Sequence, residues 1–283
     1  MSPGRAVSRA GSGARTAGGG GAGAAPAGRW ARGIAVGMVA AMVVAVASYA
    51  PNGGAAEKAF VIPPPAVDLA DVPAASGAAA TAPATAAPAD GHQFAVFAGG
   101  CFWGVQAVFQ HTRGVLQAVS GYAGGTADTA RYDLVSHGAT DHAEAVLVTF
   151  DPAQVTYGQL LHVFFSVVHD PTQLDRQGPD VGRHYRSALF PADEAQKAVA
   201  ARYIEQLDAA RAFPGGRIVT RLEPRAGFFP AEDYHQDYAT RHPDQPYIAT
   251  FDLPKIAHLE KLFPERFRRE PSLVDPRNAR PRP

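Results

Sequence analysis

One short stretch of the chain combines residue types that could do nucleophilic or redox chemistry. Cys101 is the only cysteine among 283 residues, and it stands between Gly99-Gly100 and Gly104. Glycines let a substrate approach the backbone closely, and a helix N-terminus stabilises a thiolate through its free N–H groups. A lone cysteine excludes an internal disulfide and any multi-cysteine metal site. The residues alone leave two interpretations open: a chemical group or an inert buried thiol.

The elements around Cys101 must present it at a turn. Residues 93–98 are a short apolar run that predicts a strand, and apolar residues at 102, 105, 108 and 109 follow with helical spacing. Other predicted strands are 115–122, 143–150, 185–190 and 218–223, and other predicted helices are 157–169, 193–211, 231–240 and 255–263. Strands and helices do not alternate one to one, which favours an α+β fold. We expect a single two-layer α/β sandwich, a ferredoxin-like mixed sheet with flanking helices.

Composition places this domain in the later part of the chain. Trp30, Tyr49 and Phe60 are the only aromatic residues in the first 90 positions, although the chain has 15 Phe, 9 Tyr and 2 Trp. The first 50 residues hold five arginines and no acid, so all 26 acidic residues follow them. The domain is therefore mildly acidic and has no basic run. Such a surface excludes nucleic acid as a partner.

The first 50 residues have the pattern of a targeting segment. A basic, glycine-rich leader precedes residues 33–50, which carry no charge and are rich in Val, Ala and Met. The length suits either a signal peptide, with Ala45-Val46-Ala47 as a cleavage site, or an uncleaved membrane anchor. Either one predicts export to the periplasm, free or tethered to the outer face of the inner membrane. The membrane is then contacted only through this segment.

Two further segments are predicted to lack a fold of their own. Residues 51–91 contain Pro63-Pro64-Pro65 and an Ala/Pro/Thr tract, and they offer few large apolar side chains. Such a composition cannot offset the entropy of ordering, which predicts a linker. The folded, catalytic domain is then expected at 92–270. Residues 271–283 are expected to be a disordered tail.

A set of ordered motifs resembles a known family. The string Gly100-Cys101-Phe102-Trp103-Gly104 looks like the signature of the A-type peptide methionine sulfoxide reductases, and further similar motifs follow over about 93–265. Residues 1–90 lie outside the resemblance. The further motifs are Gly121-Tyr122-Ala123-Gly124-Gly125, His142-Ala143-Glu144-Ala145-Val146, Phe150-Asp151-Pro152, His169-Asp170-Pro171-Thr172-Gln173, Asp180-Val181-Gly182-Arg183-His184-Tyr185-Arg186-Ser187 and Ala231-Glu232-Asp233-Tyr234-His235-Gln236.

The resemblance implies an activity and a role for each matched residue. The activity is thiol-dependent reduction of the S epimer of methionine sulfoxide in proteins and peptides, without a cofactor or a metal. Cys101 matches the nucleophile that becomes a sulfenic acid, and Glu144 matches the acid that protonates the sulfoxide oxygen. The other matched residues are Tyr122 and Tyr185 as phenols that hydrogen-bond this oxygen, Phe102 and Trp103 as the pocket for the substrate's S-methyl group, and Asp180 as an auxiliary acid.

The resemblance also implies the partners. Many relatives carry a second cysteine that resolves the sulfenic acid, but residues 270–283 contain none here. An external reductant, a thioredoxin-like protein or a small thiol, is therefore expected beside the sulfoxide-containing proteins and peptides. We expect a monomer.

Two positions depart from the family pattern. Asp141 stands where a glycine is common and is expected in a surface turn. His184 stands where a glutamine is common and either alters the local pH dependence or serves as a neutral replacement.

The competing functions are a cysteine hydrolase or acyltransferase, with His142 or His235 assisting Cys101, and a tethered module that binds sulfoxide peptides without chemistry. The seven-residue spacing of two helical histidines, His162 and His169, is not expected to mark a metal site.

Overall fold

The computed structural model describes residues 58–72 and 91–275 of the chain. The predicted targeting segment at 1–50, the Ala/Pro/Thr tract within residues 74–89 and residues 276–283 lie outside the described residues. Within the described ranges, no helix is long and apolar enough to cross a membrane.

A six-stranded mixed sheet forms the centre of the domain, in the order β7-β6-β1-β3-β2-β8. Its neighbours are antiparallel except β6 and β7, which are parallel. Glu144 on β3 lies opposite Tyr122 on β2 in this register. The strands are β1 (Gln93–Gly99), β2 (Val115–Ala123), β3 (Ala143–Phe150), β6 (Ser187–Phe190), β7 (Arg221–Leu222) and β8 (Phe228–Pro230), while β4 (Arg176–Gln177) and β5 (Asp180–Val181) pair in a separate hairpin.

Six α-helices accompany the sheet in the described residues, and together with it they confirm the predicted mixed α/β architecture. The largest core cluster includes Phe97 on β1 and Phe109 on the first helix, with ring centroids 4.7 Å apart. The helices are α1 (Phe102–Gln110), α2 (Tyr132–Val135), α3 (Tyr157–Val163), α4 (Glu194–Ala209), α5 (Tyr238–Arg241) and α6 (Leu253–Leu262).

Local sequence signals explain where the longer helices begin. Thr156 accepts from the backbone N–H of Gln159, and the Gln159 side chain accepts from the backbone N–H of Thr156, which is a capping box for α3. Asp193 caps α4 by accepting from the backbone N–H of Gln196. These caps satisfy N–H groups that have no partner within the helix.

Several predicted elements change in length or type. The helix predicted at 157–169 is α-helical to Val163 and continues as a π-helical turn, Phe164–Val168. The strand predicted at 185–190 begins only at Ser187, because Arg183–Tyr185 is a 3₁₀ turn. The single helix predicted at 231–240 is wrong: Asp237 adopts a φ of 57°, which separates the 3₁₀ turn Asp233–His235 from α5.

Residues 58–72, here called the strap, correct the linker prediction. Ile62 in the strap is buried and belongs to the main core cluster, and the Phe60 ring packs edge-on against Phe213 at 4.9 Å. Tyr203 on α4 donates from its hydroxyl to the carbonyl oxygen of Pro63 at 2.7 Å. This part of residues 51–91 is therefore not a free linker, because Phe60, Ile62 and Leu69 pack on the domain, although Val61 stays exposed.

The predicted disordered tail also begins too early. The backbone N–H of Ser272 donates to the carbonyl of Gln110 on α1 at 3.0 Å. The backbone N–H of the buried Val274 donates to Oδ1 of Asp237 at 3.0 Å. Residues 271–275 are thus part of the domain, since they supply partners to buried polar groups.

Candidate active site

Cys101 lies at the turn between β1 and α1, as predicted. Gly100 has a φ of 93°, and a Cβ at this position would lie 2.7 Å from the side chain of Gln177. The turn therefore needs glycine here. Cys101 directly precedes the first helical residue, Phe102, and is buried.

The protonation state of Cys101 differs from the sequence expectation. Burial raises the pKa of the thiol well above its ordinary value, and the negative charges of Glu144, Asp252 and Asp180 raise it further. A hydrogen bond from the backbone of Trp103 opposes these effects but is the smaller influence on the pKa. The expected stabilisation of the thiolate by the helix N-terminus is present in the bond from Trp103, but burial and the neighbouring acids outweigh its effect on the pKa. Cys101 rests as a thiol.

Glu144 is a buried carboxyl group beside this thiol. Its Oε2 accepts from the backbone N–H of Phe102 at 3.0 Å, and only 2% of the residue is exposed. Burial raises the pKa of Glu144 to about 8, with further increases from the negative charges of Asp180 and Asp252, while the bond from Phe102 lowers it. A carboxyl group kept neutral near pH 7 is a proton donor. The upward shift expected for this glutamate is confirmed.

Tyr122 uses its hydroxyl elsewhere. The side chain is fully buried on β2, and its hydroxyl donates to Oε2 of Glu232 at 2.8 Å. The other oxygen of Glu232 accepts from the backbone N–H of Tyr132 at 3.0 Å. Tyr122 therefore holds Glu232, and through it the start of α2, so its phenol is not available for the expected bond to a sulfoxide oxygen.

Tyr132, which the sequence analysis missed, lies near the thiol and the acid. Burial raises the pKa of Tyr132 to about 12, and the charges of Glu144 and Cys101 are the next causes. Tyr185 is near the same two groups, since burial and then Glu144 and Cys101 raise its pKa. Tyr132 lies in the β2–β3 connection, where no periodicity marks a residue, so its spacing gives no signal. Two neutral phenols thus accompany Cys101 and Glu144, and one of them differs from the expected pair.

Asp180 on β5 is placed at the same site, as predicted. Its carboxylate accepts a hydrogen bond from the hydroxyl of Tyr247. Burial raises the pKa of Asp180, whereas the bond from Tyr247 and the positive charge of Lys255 lower it. Asp180 therefore adds negative charge beside Glu144 while staying tied to a tyrosine.

The aromatic residues after Cys101 form an apolar wall. The Trp103 ring stacks on Tyr238 with centroids 3.9 Å apart and an interplanar angle of 12°. Its indole N–H donates to Nδ1 of His235 at 3.1 Å, and the Phe102 ring lies 5.0 Å from the same histidine. Both rings, which follow Cys101 directly in the chain, are thereby fixed by their contacts with His235 and Tyr238, and together they could receive an apolar group.

The structure also brings a buried ion pair to the site that no sequence pattern marked. Asp252 is fully buried immediately before α6, and Lys255 lies on the first turn of that helix with its Nζ 3.8 Å from Oδ1 of Asp252. The i,i+3 spacing of an acid and a lysine is common on exposed helices, so the sequence could not show that this pair is buried.

Comparisons with known proteins identify the family of the chain. Residues 93–266 match the family described as Peptide methionine sulfoxide reductase. The chain belongs to this family. Peptide methionine sulfoxide reductase MsrA 2 of Mesorhizobium japonicum is 55% identical over 186 residues, which cover 66% of this chain and 95% of that protein. The protein of the same name from Synechocystis sp. is 47% identical over 208 residues, 74% of this chain and 91% of that protein.

A solved structure agrees with this assignment. Mxr1 from Saccharomyces cerevisiae in reduced form is 32% identical, covers 58% of this chain and 93% of that chain, and has a TM-score of 0.53. As a peptide methionine sulfoxide reductase of the A type, the chain reduces the S epimer of methionine sulfoxide and so repairs oxidised methionine. The predicted family, fold class and activity are confirmed.

The two departures from the reductase pattern are structurally mild. Asp141 is an exposed turn residue, and its carboxylate lies 3.4 Å from the guanidinium of Arg183. His184 is buried with its ring 4.1 Å from that of Tyr185, and burial lowers its pKa. A neutral imidazole therefore stands beside Tyr185, in agreement with the interpretation of His184 as a neutral replacement.

The reductase site does not provide the histidine base that a cysteine hydrolase needs. The Nδ1 atom of His142 accepts from the backbone N–H of Gly125 at 3.2 Å, and its Nε2 lies 3.0 Å from the carbonyl oxygen of Thr126. The lone pair of His235 Nδ1 accepts from Trp103. In both candidate histidines, the nitrogen that could act as a base thus already accepts a structural hydrogen bond.

Two other histidines likewise have structural partners. Nε2 of His162 lies 3.0 Å from the carbonyl oxygen of Ile62 in the strap, and Nε2 of His169 lies 2.7 Å from Oγ of Ser187. Within residues 58–72 and 91–275, no group of three His, Cys, Asp or Glu side chains is arranged to hold a metal ion.

Proposed function

We propose that Cys101 takes the oxygen from the sulfoxide and that Glu144 supplies the proton this oxygen needs. The observation that carries the assignment is the buried Glu144 carboxyl, which accepts from the amide of Phe102, the residue next to the thiol. A sulfoxide oxygen leaves its sulfur readily only when protonated, so the step needs an acid that is neutral near pH 7. With a pKa of about 8, Glu144 is largely protonated at that pH.

The oxygen transfer can be written with balanced atoms and charges. The Cys101 sulfur attacks the sulfoxide sulfur while Glu144 protonates the sulfoxide oxygen. The oxygen then passes from the substrate sulfur to the Cys101 sulfur, which breaks both its bond to the substrate sulfur and the bond between the two sulfurs. The substrate thereby becomes a thioether and Cys101 becomes a sulfenic acid. The thiol proton of Cys101 passes to the Glu144 carboxylate, which restores the acid. An electron pair moves from the cysteine to the sulfoxide, and no net proton is consumed.

The phenols of Tyr132 and Tyr185 are proposed to hydrogen-bond the sulfoxide oxygen. Both phenols keep their protons, since burial and neighbouring negative charge raise their pKa values. Neutral donors stabilise developing negative charge on oxygen without lowering the pKa of the acid as a cation would. Tyr132 takes the place expected for Tyr122, whose hydroxyl is engaged by Glu232.

The remaining predicted residues are proposed to bind the substrate rather than to react. Phe102 and Trp103 would receive the S-methyl group against their rings, because a methyl group gains most from a rigid apolar wall. Asp180 is proposed as an auxiliary that helps to keep Glu144 protonated. All of these residues come from one chain, so a monomer suffices for the reaction.

An external thiol is proposed to regenerate Cys101. The first thiol attacks the sulfenic acid, releases water and forms a mixed disulfide, and the second releases Cys101 as the disulfide of the reductant forms. With Cys101 as the only cysteine of the chain, an internal disulfide cannot take over this role. The reductant is either a thioredoxin-like protein or a small thiol.

A reductant-free reaction tests the nucleophile and the regeneration scheme together. With excess (S)-sulfoxide peptide, about one methionine should form per chain while Cys101 gains one oxygen. Methionine is quantified by chromatography and the modification by mass spectrometry of the Cys101 peptide. A reproducible yield of two or more methionines per chain, without contaminating thiol or a disulfide-linked dimer, would contradict this scheme.

The assay that separates the competing functions uses both epimers. With dithiothreitol, (S)-methionine sulfoxide should be reduced and the R epimer should persist. Turnover of esters or amides at a comparable rate would favour a cysteine hydrolase. A Cys101→Ser variant that binds sulfoxide peptides and releases them unchanged, together with an inactive wild type, would favour a binding module.

Export is proposed from the uncharged residues 33–50 and the five arginines that precede them. A fusion of residues 1–60 to a reporter that is active only after export should give a periplasmic signal. A strictly cytoplasmic signal would refute the proposed location.

A further inference from the structure

A buried ion pair lies beside the active site and takes no part in the proposed reaction. Asp252 ends the π-helical turn Ile248–Asp252, and Lys255 follows on the first turn of α6. The exposed fraction is 0% for Asp252 and 4% for Lys255. The cost of desolvating two charges is roughly as large as the attraction between them, and an apolar pair of similar size often gives equal stability. Stability alone therefore does not account for the pair.

The pair is fitted against the first turn of α1, three residues from the nucleophile. A Cβ on Gly104 would lie 2.1 Å from Oδ1 of Asp252 and 3.3 Å from Nζ of Lys255. A real Cβ does not approach an oxygen so closely, so glycine at 104 is what admits the carboxylate to this position. The carboxylate is thereby fixed against the helix that begins directly after Cys101.

The charge of Asp252 acts on the reacting groups. It disfavours ionisation of both Glu144 and Cys101, and Asp180 acts in the same sense with a larger effect on Glu144. Lys255 on α6 lies 3.8 Å from Asp252, which precedes that helix, and its positive charge also acts on Asp180 of β5. The titratable groups that act on Glu144, or on which Glu144 acts, come from several elements: Cys101, Tyr122, Tyr132, Asp180, Tyr185 and Asp252.

We propose that Asp252, held ionised by Lys255 against Gly104, is a positioning residue that keeps Glu144 protonated until the sulfoxide oxygen accepts the proton. Asp252 does not touch the substrate in this role. It acts through the field of a fixed negative charge, which is screened little because the carboxylate is fully buried. Lys255 is the counter-charge that allows an ionised carboxylate at such a depth. This inference rests on the proposed role of Glu144 as the acid.

Two variants test the inference in the full-length protein. Asp252→Asn removes the charge with little change of shape, and Asp252→Asn with Lys255→Gln removes the pair without leaving a single buried charge. The protonated Glu144 carboxyl is followed by its infrared carbonyl band, assigned by difference from Glu144→Gln. In both variants the pH at which the band is half lost should fall by about half a pH unit, less than the one to three of a charge in direct contact. The alkaline limb of kcat/KM should move down by the same amount.

The exposed pair Glu194–Lys197 supplies a matched control. It has the same i,i+3 spacing on α4, with side chains more than half exposed and 3.3 Å between the charged atoms. Replacing both residues by glutamine should leave the infrared titration and the pH profile unchanged. If the Asp252 variants fold and the Glu144 band still titrates as in wild type, the inference is wrong.

The infrared and kinetic measurements also separate this inference from the proposed function. A lower Glu144 midpoint with an unchanged alkaline limb would support the action of Asp252 on Glu144 and refute Glu144 as the acid. An alkaline limb that moves without any change in the Glu144 band would overturn the inference, because Asp252 would then act on another group. If the double variant does not fold, Asp252→Asn alone gives the same comparison.

Discussion

The strap and the active site each depend on one acidic residue, Asp68 and Glu144, yet the two carboxyl groups have opposite surroundings. Asp68 in the strap accepts from the backbone N–H groups of Leu69 at 2.7 Å and Gly158 at 3.0 Å, and from the hydroxyl of Thr156. Its charge is spread over donors at the start of α3. Glu144 instead accepts from one amide in a desolvated position next to other acids, so it holds its proton. Several hydrogen-bond donors around a carboxylate stabilise its charged form, whereas a buried carboxyl group with few donors keeps its proton and can act as an acid.

The largest expected effect in this comparison is at the nucleophile. Cys101→Ser should abolish thiol-dependent reduction of (S)-sulfoxide while the protein stays folded, because oxygen replaces sulfur at a turn without loss of backbone bonds. Activity is measured with dithiothreitol and folding by circular dichroism and thermal unfolding. A substantial residual rate would show that another group is the nucleophile, although the chain has no other thiol.

The next largest effect is expected at the acid. Glu144→Gln should slow reduction by roughly 100- to 10,000-fold, since a positioned proton donor is lost while hydrogen bonding is kept. In wild type, kcat/KM should fall above about pH 8, where Glu144 loses its proton. An unchanged rate in the variant between pH 6 and 8 would assign the proton to Asp180 or to water.

The free energy of unfolding should also depend on the Glu144 proton. The sign of this pH dependence is opposite to that of a carboxylate whose pKa is lowered by folding. The pKa of Glu144 is raised from 4.5 to about 8 in the folded protein, so the folded state binds more protons than the unfolded state between these values. The free energy of unfolding contributed by this group is therefore fully present at low pH and declines as pH rises towards 8. In urea unfolding at pH 5 and pH 8, Glu144→Gln should show a smaller decline than wild type.

A pair of tyrosine variants tests which phenol serves the site. Tyr132→Phe should lower kcat by roughly 100-fold, the range for removing one oxyanion donor. Tyr122→Phe leaves Glu232 without its hydroxyl donor and should instead lower the free energy of unfolding by about 1–2 kcal/mol, with a smaller change in rate. A larger loss of rate in Tyr122→Phe than in Tyr132→Phe would return the role to Tyr122.

The smallest effect is expected in the strap. Asp68→Ala should lower the free energy of unfolding by about 1–2 kcal/mol, because the start of α3 loses its cap partner. The pH profile of kcat/KM should keep its shape, since Asp68 does not contact the site. Removal of residues 1–57 is the control and should leave stability unchanged, whereas removal of residues 1–90 should destabilise the domain. A pH profile altered by Asp68→Ala would break the distinction between the two regions.

The sequence predicted those features that follow from local spacing. The glycine pair after an apolar run placed Cys101 at a strand-to-helix turn, and alternation placed Glu144 on a strand. The motif order also predicted the family and the fold class. Such features depend on residues that are close in sequence, where backbone geometry and periodicity decide the outcome.

Only the tertiary structure decided which distant groups meet. Tyr122 and Tyr132 are both tyrosines near matched motifs, and both contact Glu232. They differ because Tyr122 makes this contact with its hydroxyl and Tyr132 makes it with its backbone N–H. The strap looked like a linker because its composition is poor in apolar residues, yet Ile62 is buried in the core. Asp252 and Lys255 have the spacing of a surface pair and are buried because Gly104 leaves room for them. Burial and the choice of partner are properties of the packed chain, and they, rather than residue type, set the charges on which this chemistry depends.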